Sequence, residues 1–221
     1  MGVLVSASNS FDAMPEHLPG DLLLGMAFGI TATAPTQPSA SSTVPKWEQV
    51  LRPAPQQNNT CYSSWCVAKA IATADNHTAG VWQNAAIGAV VVLREVDEQP
   101  IGGKGVSTGS GGNYPTAPAV PLESGDDSTI QIYGLGYSSA GQSSMYSATW
   151  DPVSAGYNNL ATSAGLWGRR VLIRYGDTVA TGASNKISVN ALTTQGVTIE
   201  VVSYREVKVV LGAGQFFPFL G

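Results

Sequence analysis

Two cysteines and two histidines are the side chains of this chain best suited to redox, metal or acid–base work. Cys61 and Cys66 frame the stretch Cys-Tyr-Ser-Ser-Trp-Cys, with four residues between the thiols. Redox dithiols use a two-residue spacing, and two thiols fall short of the four ligands of a structural zinc site. A loop of this size can close as a local disulfide. Cys61–Cys66 is therefore a candidate bond, with two free thiols as the alternative. His17 follows Glu16 in a proline-rich stretch, and His77 sits in Asp-Asn-His-Thr. Both read as surface loop residues, and their spacing to the cysteines does not fit a zinc finger.

Other chemistry is thinner. Glu95, Asp97 and Glu98, and separately Glu123, Asp126 and Asp127, are acidic clusters without the spaced oxygen ladder of a calcium loop. They read as solvated acidic turns. Gly102-Gly103-Lys104-Gly105 lacks the frame of a phosphate-binding loop. The segment from Gln57 to Cys66 resembles the papain-like nucleophile region over about ten residues, a Gln preceding a Cys loop with a Trp. Its Cys-Trp order is inverted, however, and no histidine follows His77 to serve as a distant base. The expectation is a non-enzyme with no catalytic residue, no cofactor and no bound metal.

Composition narrows the class. Only 12% of the residues are charged, and the formal charge is −4. The charged share is about half the usual value for a soluble domain. Its place is taken by Gly, Ser, Thr, Ala and Asn, with 25 glycines and 13 prolines. Free monomers keep soluble with densely charged surfaces. Small polar surfaces suit secreted proteins and subunits whose faces are covered in an assembly. Nucleic acid is not expected as a partner, because phosphate neutralisation needs clustered Lys and Arg. Arg169, Arg170 and Arg174 form the one tight basic cluster. No apolar run reaches the roughly 18 residues of a spanning helix, so no membrane partner is expected.

Hydrophobic periodicity supplies the elements that must position these residues. Val197, Ile199 and Val201 alternate with Thr198 and Glu200, and Val207 and Val209 with Glu206 and Lys208. Period-two alternation marks a strand with one buried and one wet face. A turn is expected at Gln195-Gly196 and a bend at Ser203-Tyr204. Ala85 to Val96 reads as a strand buried on both faces, and Ser63 to Asp75 fits either a short helix or a strand. Residues 101–119 and 138–165 read as long Gly/Ser-rich excursions. A short strand from Ser128 to Tyr133 is expected to break at Gly134 and Gly136.

The chain therefore reads as all-β: an antiparallel β-sandwich, or a jelly-roll-like or barrel domain, over residues 61–221 with an apolar C-terminal tail. Residues 1–60 carry more than half of the prolines and read as an extended arm with one candidate short strand. Leu22, Leu23, Leu24, Met26 and Phe28 in the arm, and Phe216, Phe217, Phe219 and Leu220 in the tail, are the candidate assembly contacts. The leading functional expectation is a structural protein of the virion, a tailed-bacteriophage capsid decoration or cement protein or a head- or tail-associated subunit. Its partners would be further copies of itself as a homo-oligomer and other virion proteins such as the major capsid protein. The alternative is a secreted or surface carbohydrate-binding β-sandwich, with a glycan stacked on Tyr114, Tyr133, Tyr137, Tyr146, Trp150 and Tyr157.

Overall fold

The computed structural model describes residues 3–8, 11, 13–110, 116–120, 129–138, 158–165, 169–176, 183–184 and 192–203. Every regular element among them is a β-strand, and every pairing is antiparallel. The first sheet contains β1 (Val3–Ser8), β2 (Leu22–Gly29), β3 (Glu48–Leu51), β4 (Gln56–Asn58), β5 (Cys61–Ile71) and β6 (Ile87–Arg94). Its order is β1-β6-β2-β5-β3, with β4 paired to the start of β5. The second contains β7 (Val96–Ser110), then, past the two-residue β8 (Thr116–Ala117), β9 (Thr129–Ser138), β10 (Asn158–Gly165) and β11 (Arg169–Gly176). After β12 (Ala183–Ser184), which pairs only with β8, comes β13 (Thr193–Ser203). The order of this sheet is β10-β11-β9-β13-β7.

One core joins the sheets. Leu22, Leu24, Met26 and Phe28 of β2, Trp65 and Val67 of β5, and Ile87, Ala89, Val91 and Leu93 of β6 meet Ile130 and Ile132 of β9 and Val197, Ile199 and Val201 of β13. The arrangement is sandwich-like. The Trp65 indole donates to the Gln195 carbonyl across the layers at 2.8 Å, so a buried N–H that would be costly unpaired finds its acceptor in the facing sheet.

The other face of the first sheet is covered as well. Leu23, Ala27, Cys66, Ala68, Ala70, Val90 and Val92 pack under Trp47, Ala79 and Trp82. Burial on both faces explains why β2 and β6 read as continuous apolar runs rather than as alternating ones. The uncharged stretch that covers this face is pinned by Arg52. Its guanidinium donates to the carbonyls of Pro35 at 2.6 Å and Ala34 at 2.8 Å, while Thr36 and Gln83 exchange backbone bonds. An extended segment laid across a surface was expected here. The surface proves to be this chain's own sheet, and β2, expected as one short strand in an arm, lies in the middle of that sheet.

Four further stretches differ from expectation. β9 runs unbroken through Gly134 and Gly136, because these glycines make room for the facing layer. A Cβ on Gly136 would lie 2.4 Å from the Phe28 ring, and one on Gly134 within 3.0 Å of Met26, Trp65 and Val197. β13 runs through Gln195-Gly196 without a turn, since Gly196 admits the Thr116 carbonyl. Residues 96–110 form a strand instead of a loop, paired along β13 with two register shifts. β10 likewise replaces part of the loop expected over 138–165, and Ser63 to Asp75 resolves as β5 and its exit. The second strand of the alternating C-terminal pattern, with Val207 and Val209, lies outside the described residues.

The face of β13 expected to be wet is not. Thr198 and Glu200 are buried. The Thr198 hydroxyl donates to the Pro118 carbonyl at 2.5 Å, and Glu200 Oε2 accepts the Gly103 N–H at 2.6 Å. Pro118 lies over Thr198 and β7 supplies the Gly103 N–H to Glu200, so each finds in the chain the partner that water would otherwise be.

Candidate functional site

Cys61 and Cys66 both lie on β5, five positions apart, and both are free and buried. An odd separation on a strand places two side chains on opposite faces. Cys66 accordingly packs in the outer cluster with Ala68 and Ala70, while Trp65 and Val67 point into the shared core. This corrects the candidate disulfide: a loop of that size could close, but an extended strand holds the thiols apart. Burial pushes the Cys66 thiol up to about 11, so it is a packing residue and a poor nucleophile.

The histidines are a second correction. Both are buried, and their rings stack at 5.7 Å between centroids and 6° between planes. His17 lies in the segment entering β2 and His77 in the loop leaving β5. His17 Nδ1 lies 2.7 Å from the Pro15 carbonyl. His77 Nε2 accepts the backbone N–H groups of Thr73 at 3.1 Å and Ala74 at 3.2 Å. Beside them Asp21 is buried, with Arg94 donating to both carboxylate oxygens at 2.7 Å and the Leu18 N–H to one at 2.8 Å. Arg94 bonded in this bidentate way holds the Asp21 carboxyl below its usual range, against burial acting the other way. Asp21 and Arg94 lie 73 positions apart, and nothing in their local patterns links them.

The remaining candidates do not assemble into chemistry. Gly102 to Gly105 belong to the extended β7, where Lys104 Nζ is held 2.9 Å from the Val50 carbonyl. Glu95 and Asp97 flank the β6–β7 junction, with Glu95 at a φ of 56°. Among the described residues no three His, Cys, Asp or Glu side chains gather as a metal site requires. Glu123, Asp126 and Asp127 lie outside the described residues. Arg170 and Arg174 stand in register opposite Tyr137 and Tyr133.

The candidate contact residues divide. Leu22, Leu23, Leu24, Met26 and Phe28 are fully buried inside this chain, so their apolar surface is spent on its own two cores. Phe216, Phe217, Phe219 and Leu220 lie outside the described residues. Of the aromatics expected to stack on sugar, Tyr133 and Tyr137 are buried, and Tyr114, Tyr146, Trp150 and Tyr157 lie outside the described residues. What the described surface does expose is apolar Val81 at 75%, Leu18 at 52% and Ile71 at 49%. Ile71 borders a shallow depression of about 200 Å³ with Lys46, Glu48, Lys69 and Ala70.

Comparisons with protein-family models, with curated proteins and with solved structures find no match.

Proposed function

We propose that this chain is a non-enzymatic structural subunit of a virus particle, of the capsid-decoration, cement or head- or tail-associated kind found on tailed bacteriophages. Its work is contact between subunits, and its fold on this reading is a closed two-layer β-sandwich. The observation that carries the proposal is a surface with few charges, 12% of the whole chain, on a fold that invests its large apolar side chains in two internal layers. Such a surface is poorly protected as a free monomer and well suited to burial against neighbours. Exposed Leu18, Ile71 and Val81 add apolar area to it, and each square ångström of apolar surface covered contributes roughly 25 cal/mol before ordering costs. The carbohydrate-binding alternative loses support from Tyr133 and Tyr137, whose rings are buried.

The test is light scattering coupled to size exclusion on the full chain at micromolar concentration, followed by mixing with purified phage heads and pelleting. Discrete oligomers, or sedimentation with the heads, are expected. A monodisperse monomer that stays in the supernatant and binds an immobilised glycan would overturn the proposal.

A further inference from the structure

Histidine is the side chain whose charge changes near neutrality, and in this chain both histidines are buried in one stack. In His77 the direction of the hydrogen bonds settles the tautomer. Two backbone N–H groups, from Thr73 and Ala74, point at Nε2. A backbone N–H can only donate, so Nε2 must offer its lone pair and the ring proton must sit on Nδ1. A neutral imidazole can take up a proton only at the nitrogen that lacks one. Here that nitrogen is the one that closes the 72–79 loop. Proton uptake by His77 takes the acceptor away from both backbone N–H groups and leaves the Thr73 hydroxyl, 3.1 Å from Nε2, as the one partner there able to accept the new N–H.

The surroundings also disfavour proton uptake. His17 stacks parallel to His77, so two protonated rings would face each other as like charges. Buried His17 Nε2 and His77 Nδ1 have no hydrogen-bond partner among the described residues. Asp21, on the same segment as His17 and within its electrostatic reach, is already engaged by Arg94 from β6 and by the Leu18 N–H. The other charged groups nearby in the chain are Glu16 beside His17, Asp75 within the loop and Glu95 beside Arg94, all exposed. The loop covers something worth covering. The Trp47 and Trp82 indoles both donate to the Ala79 carbonyl, at 3.2 and 3.1 Å, and the Thr78 N–H is held by the Thr43 carbonyl at 2.8 Å.

We propose that the His17–His77 stack is an acid-sensitive latch: protonation of His77 at Nε2 releases the 72–79 loop and uncovers the outer apolar layer around Trp47 and Trp82. The strands of the first sheet beside the loop are not part of the release, because backbone carbonyls, which do not titrate, accept along their ladders.

The experiment is backbone hydrogen exchange by NMR on the labelled full chain from about pH 8 to about pH 5, corrected for intrinsic exchange, with tryptophan fluorescence alongside. Protection of the Thr73 and Ala74 amides should hold at the alkaline end and, below the ordinary histidine value of about 6.5, fall by about tenfold per pH unit, the slope of one coupled proton. Amides of β2 and β5 should keep theirs, and the tryptophan emission should shift over the same interval. The two histidine side-chain signals report protonation directly. His77→Asn keeps an acceptor that cannot titrate at these pH values, and should leave the loop closed throughout. The latch is overturned if Thr73 and Ala74 stay protected once His77 is protonated, or if the strands lose protection together with the loop. A His77→Asn chain that opens at the same pH as the parent overturns it equally. Should that variant fail to fold, the wild-type exchange profile still decides.

Discussion

At Asp21 two opposing demands meet in one side chain. Burial penalises its charge, and the bidentate Arg94 bond outweighs that penalty and holds the carboxyl below its usual range. A carboxylate held low in the folded chain contributes stability above the ordinary Asp value of about 3.9, and loses it as pH falls through the folded value. Asp21→Asn should therefore cost about 1–3 kcal/mol at neutral pH, read as a lower urea midpoint. It should also flatten the decline of that midpoint below about pH 4. A decline as steep in the variant as in the parent would assign the acid sensitivity to other carboxylates. Cys66 makes a complementary prediction. A buried thiol pushed up to about 11 should resist a disulfide reagent at about pH 8, as should buried Cys61. Both should react within the dead time in denaturant, with no reductant needed. A requirement for reductant would mean that the thiols had been joined.

At the scale of elements, the contact between the sheets rests on size matching across the core. Phe28 of β2 fills the space left by Gly136 of β9, and the Phe28 and Trp65 rings meet at 5.2 Å. Gly136→Ala drives a methyl group into the Phe28 ring and should cost about 1–3 kcal/mol, measured by denaturant unfolding. Phe28→Leu made together with Gly136→Ala should recover part of that loss, a non-additivity expected only of residues in contact. Full additivity would place the two side chains apart. Gly88 of β6 plays the same part on the outer layer, where Phe11 lies over it and stacks on Trp82 at 4.7 Å.

For the whole molecule, the consequence is that the first sixty residues cannot be treated as an attachment. β1 and β2 both pair with β6, and between them Phe11 and Met14 pack against the outer layer. Removing residues 1–45 takes away the middle strand of the first sheet, together with Leu23, Ala27, Phe11, Met14 and Val44 of the outer layer. The truncated chain should lose its cooperative thermal transition by circular dichroism, while removal of residues 1–8 alone, an edge strand, should lower the melting temperature and leave the transition cooperative. A truncation at 45 that still melts cooperatively would restore the picture of a separate arm.

The sequence by itself determined the all-β class, the strand over Ala85 to Val96 and the inward face of Val197, Ile199 and Val201, because period-two alternation and β-branched runs are local properties of the chain. What the tertiary structure decided depended on partners far away in the chain. Gly134, Gly136 and Gly196 look like breaks until Phe28, Trp65 and the Thr116 carbonyl are seen occupying the space of their missing side chains. Thr198 and Glu200 look wet until residues 116–120 and β7 supply their hydrogen-bond partners. His17 and His77 look exposed because sixty positions separate them, and only the return of β5 alongside β2 brings the loops that carry them into one buried stack.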